Sequence, residues 1–259
     1  MTTVQMVARQ VPYWTTVYRR TWRGGIVSSV VQPLLYVVAM GLLLGQYVGG
    51  GDRLGGAASY LVFIAPGLAA TQSMMIAFGE AAWPVMGMLT WDKVYTAMAA
   101  SPLRPRDILA AHLGFIGFRV VTSLAVFMTV LGFFGVYGSV LGALVALVVQ
   151  LLIGLAVASV VFAYTANLRG DAGLSTLYRL ALVPLFLFSG AFFPVSALSP
   201  ALQTLAQATP LYHGVELTRM LCAGRVDLAA AGWHVAYLVA MTALGWVLSE
   251  RALTRRLVS

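Results

Sequence analysis

The sequence predicts an all-α membrane protein with six transmembrane helices, an N-terminal interfacial amphipathic helix, a short cytoplasmic helix after the second span and an extracellular re-entrant helical pair after the fifth. Three observations carry that prediction. Of the 259 residues, 60% are hydrophobic and 9% charged, against about 25% charged in soluble domains, too few to cover a water-facing surface. Apolar runs stay unbroken for 19 residues or more, enough to cross the hydrocarbon as helix, whereas an outer-membrane barrel would alternate in segments of about ten residues. The loops that such spans define divide the basic residues very unequally.

Residues 4–23 set Val7, Val11, Trp14, Val17 and Tyr18 at helical spacing among Arg, Gln and Thr. Such a helix lies in the interface with its arginines at anionic headgroups. The first span, 26–46, is built on the uncharged stretch Ile26 to Leu44, and its Gly41 and Gly45 form a G-x-x-x-G that lets helices approach. The second span, 60–82, follows from Tyr60 to Phe78. Residues 88–100 then hold Trp91, Asp92, Lys93, Val94, Tyr95, Thr96, Ala97 and Met98, a short amphipathic helix ended by Ser101 and Pro102. Pro102 and Pro105 set a rigid corner before the third span, 107–134, which encloses Arg119. Between Arg119 and Arg169 lie 49 uncharged residues, room for a turn at Gly135 to Gly138 and a fourth span at 139–166. The fifth span is 174–194. Residues 195–219 are apolar enough to touch membrane yet carry Pro200, Pro210, Gln203 and Gln207, which favours a re-entrant or interfacial pair covered by protein. The sixth span is 229–250, and 1–259 form one transmembrane domain.

With a cytoplasmic N-terminus, twelve basic residues fall inside (Arg9, Arg19, Arg20, Arg23, Lys93, Arg104, Arg106, Arg169, Arg179, Arg251, Arg255, Arg256) and three outside (Arg53, Arg219, Arg225). That bias predicts a multi-pass protein of a bacterial inner membrane with both termini cytoplasmic. The net charge of +8 therefore concerns membrane lipids, and no nucleic-acid partner is expected.

Several function classes are excluded. His112, His213 and His234 fall on separate elements without carboxylate or Cys clusters, so no metal site and no catalytic residues are expected, and each histidine reads as a packing residue. The single cysteine, Cys222, forbids an internal disulfide. A phosphate-binding loop requires G-x-x-x-x-G-K-S/T, but the one lysine, Lys93, follows Thr90, Trp91 and Asp92 with no glycine run. ATP and Mg, if used, must reside on another subunit. An ion-driven carrier needs acids near mid-membrane; only Glu80 qualifies, and it can pair with Arg119 as a gate or as a static ion pair, or Arg119 can snorkel instead. The 88–100 helix suits either docking into a groove of a cytoplasmic protein or lying on headgroups.

Two motifs near the C-terminus add a resemblance. The run Phe188, Ser189, Gly190, Ala191, Phe192, Phe193, Pro194 is followed by Pro210, Leu211, Tyr212, His213, Gly214, Val215, Glu216, Leu217, Thr218, Arg219. An SG-x-FFP element followed by P-L-x-H-x-x-E-x-x-R resembles the permease subunits of type-2 ABC exporters, in the branch of lipo-oligosaccharide nodulation exporters and daunorubicin-type drug exporters. The stretches from Tyr60 to Gly67 and from Lys93 through Ser101 to Arg104 support it. The resemblance implies a six-helix protomer working as a dimer, by expectation a homodimer, on two copies of a separate nucleotide-binding ATPase subunit. It implies that 88–100 is the coupling helix, with Trp91, Asp92, Lys93, Tyr95, Ser101 and Arg104 serving ATPase coupling. It further implies that Phe192, Phe193, Pro194, Pro210, His213, Glu216 and Arg219 shape the extracellular exit. A hydrophobic or amphiphilic substrate (drug, lipid or glycolipid) would pass along the first, second and fifth spans. The alternative is an ATP-independent membrane carrier or a structural membrane anchor.

Overall fold

A computed structural model describes residues 2–44 and 58–258. The end of the predicted first span, Gly45 of the G-x-x-x-G pair and Arg53 lie outside the described residues. The described residues form helices joined by short turns, with no strand among them. In chain order they are α1 (Thr3–Tyr36), α2 (Tyr60–Ala81), α3 (Trp83–Met86), α4 (Val94–Ala99), α5 (Pro105–Gly132), α6 (Val140–Asn167), α7 (Ala172–Phe188), α8 (Pro200–Gln207), α9 (Pro210–Ala223) and α10 (Leu228–Val258). Five helical stretches are long and apolar enough to cross a membrane: Thr3–Met40, Tyr60–Trp91, Pro105–Gly132, Val140–Asn167 and Leu228–Leu257. The apolar α7 is shorter.

The sequence reading separates an interfacial helix at 4–23 from a span starting at 26, whereas the structure has one helix running through Gly24 and Gly25. Two adjacent glycines weaken an isolated helix by roughly 1 kcal/mol each. Here a tertiary contact braces the junction. The Arg119 side chain from α5 donates from Nη1 to Thr21 Oγ1 at 3.0 Å, and its Nη2 lies 3.4 Å from where a Cβ on Gly25 would sit. Past Tyr36 the chain widens into a π-helical stretch, Val37–Leu44.

The core is organised on α6. It packs against α2, α5, α9 and α10, while α1 lies along α5. Buried polar pairs fix the registers. Ser73 Oγ of α2 donates to the Gln150 carbonyl of α6 at 2.6 Å, and Gln150 Nε2 donates to Thr218 Oγ1 of α9 at 3.0 Å. Ser249 of α10 donates to the Ser159 carbonyl at 2.7 Å, and Thr165 to the Ala81 carbonyl at 3.1 Å. Such bonds supply the specificity that apolar packing in lipid lacks. The α9 helix runs beside α6 from Ile153, which Gly214 packs against, to the loop where Gly138 N–H donates to the Cys222 carbonyl at 2.8 Å.

Two other elements differ from their sequence-based bounds. The 88–100 helix is broken: α3 passes into a π turn over Gly87–Trp91, and a corner at Asp92 and Lys93 precedes α4. Asp92 N–H closes the π turn on the Gly87 carbonyl at 2.9 Å. The helix at the predicted fifth span, α7, stops at Phe188 rather than 194, because Gly190 takes a φ of +84°, a left-handed conformation that releases the Phe192–Phe193–Pro194 segment from the helix.

Candidate functional site

Three constellations gather the residues singled out from the sequence. The first lies at one end of the bundle. Trp91, Asp92 and Lys93 are exposed there, Trp91 by 60% of its surface. Lys93 has φ +51°, which among the described residues makes it the one non-glycine residue with a left-handed backbone. That conformation costs about 1–2 kcal/mol and is characteristic of positions where local strain serves a role. Tyr95, two residues on, points the other way. It is fully buried, and its hydroxyl is hydrogen-bonded to His112 Nδ1 of α5. Desolvation, with Tyr13 adding to it, holds the phenol well above the usual tyrosine range, so it stays neutral. The His112 ring lies 4.6 Å from Trp14 of α1 and 5.8 Å from Phe162 of α6, and Trp14 stacks on Phe115 at 4.6 Å. One buried aromatic knot thus joins α1, α4, α5 and α6.

Ser101 is exposed and donates to the Met98 carbonyl at 2.6 Å, ending α4. Arg104 is also exposed; its backbone N–H bonds the Asp107 carboxylate at 3.1 Å, capping α5. Both termini reach this same end. Gln10 Nε2 donates to the Asp107 carbonyl at 3.0 Å, and Arg256 donates to the Leu168 carbonyl and, at 3.4 Å, to Thr90.

The second constellation is the Glu80 and Arg119 pair. Arg119 Nη1 lies 3.3 Å from Glu80 Oε1, joining α5 to α2, and the same nitrogen holds Thr21 of α1. Met74 and Met86 are core filling, whereas Met75 faces a cavity of about 600 Å³ between α1, α2 and α7. Gln32, Tyr36, Thr71, Gln72 and Tyr178 also line that cavity, and no charged side chain among the described residues does.

The third lies at the opposite end. Arg219 of α9 pairs with Glu216, donates from Nη2 to the Gly190 carbonyl at 2.9 Å, and covers the Phe63 ring of α2 at 4.2 Å. Tyr60 donates to the Phe192 carbonyl at 3.2 Å, and the Gly67 backbone meets Ala191 so closely that an added Cβ would fall 2.6 Å from its carbonyl oxygen. Phe192, Phe193 and Pro194 are half-buried along this seam. Pro210 starts α9 behind the Thr209 cap. His213 meets His234 of α10, Nδ1 to Nδ1 at 2.8 Å, with Tyr237 stacked on it at 3.8 Å. Sequence reasoning places His213 and His234 on separate elements and misses this pairing, for which the chain carries no local spacing signal.

A bundle of lipid-length apolar helices, with polar pairs inside and an exposed corner at one end, defines a multi-pass membrane protein. The chain belongs to the ABC-2 type transporter family, whose model matches residues 6–222. It is similar to nodulation protein J of Rhizobium leguminosarum bv. trifolii, 32% identical over 254 residues, covering 95% of this chain and 94% of that protein. Nodulation protein J of Rhizobium meliloti (strain 1021) is 28% identical over 255 residues, with 95% and 94% covered. The inner membrane transport permease YadH of Escherichia coli (strain K12) is 26% identical over 245 residues, 90% of each chain.

Proposed function

We propose that this chain is the membrane-spanning subunit of an ATP-driven exporter, crossing the inner membrane six times with α7 as the fifth crossing, dimerising, and docking one ATPase subunit per protomer at the end that holds both termini. That end is then cytoplasmic, as the basic residues gathered there favour. The observation that carries the reading is the corner at Trp91, Asp92 and Lys93, exposed outside and tied inside through Tyr95 to α1, α5 and α6. A push on the corner reaches three spans at once without touching substrate. The hydrolysis itself, with ATP and Mg, belongs to the partner, because this chain has no phosphate-binding loop.

The cavity between α1, α2 and α7 is the proposed substrate path. Amide and hydroxyl groups among Leu, Ile and Phe suit an amphiphile with an uncharged polar head, a class that includes glycolipids and neutral drugs. Segment 195–219 is the proposed re-entrant exit, with α8 leading inward and α9 returning outward beside α6. There Arg219 ties α9 to the SG-x-FFP run.

The test is affinity purification of the tagged chain from its host, followed by mass spectrometry. A stoichiometric ATPase carrying G-x-x-x-x-G-K-S/T is expected. The double reversal Asp92→Lys with Lys93→Glu is expected to cut its recovery about tenfold or more while leaving the thermal midpoint in detergent unchanged, since both side chains are exposed. Full ATPase recovery and full export by that variant would sink the coupling role. No ATPase even after cross-linking would leave the carrier or anchor reading.

A further inference from the structure

Away from the faces assigned above, α6 and α10 leave an open groove of about 930 Å³ at the end that holds the termini. Val160, Ala163, Val247 and Leu248 line its apolar half, and Asn167, Arg251, Thr254 and Arg255 line its polar end, the mouth. On α6 the residues recur at 160, 163, 164 and 167, and on α10 at 247, 248, 251, 254 and 255, so two helical faces grade from apolar to cationic in the same direction. Glu250 also lines the groove, so its ionisable side chains sum to one positive charge. Arg255 donates to Asn167 Oδ1 at 3.2 Å, which holds that guanidinium over the mouth, and Arg251 is exposed beside it. Arg256, one residue on, is turned away into contacts with Leu168 and Thr90.

We infer that this groove is a lipid site that holds one anionic glycerophospholipid of the adjacent leaflet, its phosphate between Arg251 and Arg255 and an acyl chain along Val160, Ala163, Val247 and Leu248. The polarity of the groove matches the polarity of such a lipid along its length, and the single excess positive charge matches a singly charged headgroup. A soluble partner would leave the apolar half uncovered. A second copy of the chain would have to bury Glu250, Arg251 and Arg255, at a cost in desolvation. The same Arg256 contacts join α10 to the loop after α6 and to the coupling segment, so a bound lipid stiffens the end that the ATPase is proposed to meet. The lipid site itself does not depend on the export reading.

The test is native mass spectrometry of the purified full-length chain, extracted gently and exchanged into nanodiscs of phosphatidylcholine with or without 20% phosphatidylglycerol as an experimental choice (about one anionic lipid in five, enough to compete at the surface). Retention of one phosphatidylglycerol per chain is expected. Arg251→Gln is expected to lower retention about fivefold, and Arg251→Gln with Arg255→Gln about twenty-five-fold. Val247→Trp, which fills the apolar half without changing charge, is expected to lower it as well. Equal retention in all variants would overturn the site, as would equal retention of phosphatidylcholine. If Val247→Cys cross-links two copies or a partner at high yield, a protein face occupies the groove and the inference fails. The buried Cys222 does not compete in that measurement.

Discussion

Two residues apart in the chain, Asp92 and Tyr95 belong to different environments, and their substitutions separate accordingly. Asp92 is exposed, so its replacement acts on what docks there and not on folding. Tyr95 is buried with its hydroxyl on His112. Tyr95→Phe removes the hydroxyl and leaves the imidazole nitrogen unpaired in an apolar setting, a cost of about 1–3 kcal/mol. A lower thermal midpoint in detergent is the expected readout, and an unchanged midpoint would show that the aromatic packing alone holds the knot. Residue types were legible in the sequence here, but their directions were not. An aromatic beside charges reads as an amphipathic helix face, and only the three-dimensional path of the chain turns Tyr95 inward. The same limit hid His213 and His234, which meet through the packing of α9 on α10 at a separation no periodicity encodes. Glu80 and Arg119 were legible as possible partners because charges are so scarce in the apolar helices that each has few partners available, but the sequence left their contact open.

The seam between α2 and the SG-x-FFP run is the element most exposed to steric failure. Gly67 and Ala191 touch backbone to backbone, so Gly67→Val must push the two segments apart. We expect loss of folded, monodisperse protein on size exclusion, because overpacking costs about 1–3 kcal/mol and here meets backbone that cannot swing aside. Normal yield and midpoint would show that the segment is free to shift. Elements of this size were largely readable: apolar runs without charge give the long helices directly. What the pattern could not give was where helices bend or stop. The π turns after Tyr36 and over Gly87–Trp91 have no signature in hydropathy, and α7 ends where a left-handed glycine, not a drop in apolarity, ends it. Hydropathy runs straight on through Phe192 and Phe193, so a span drawn from composition overshoots.

For the molecule as a whole, the ends of the chain meet at one pole. The first turns of α1 sit on the start of α5, and the last turns of α10 hold the loop after α6. The unbroken α1, 34 residues and so roughly 50 Å of helix, joins that pole to the face that lines the neutral cavity. The chain read as separate interfacial and spanning helices because the arginines stop at Arg23 and the uncharged run starts at Ile26, and Arg119 braces the junction from a different part of the sequence.

That continuity makes angular phase a property of the protein. A single alanine inserted after Gly24 turns everything upstream by about 100° and swings Trp14 off His112 and Phe115, whereas four residues return it to within about 40° and seven to within about 20°. Transport measured against insert length should therefore fall at one or two residues, recover in part at four and recover further at seven. A hinge at the glycines would give a flat response instead, and a mere spacer a steady decline. An oscillation with the pitch of the helix would mean that the rotational setting of the N-terminal arm, as much as its presence, is inherited by the membrane-embedded half.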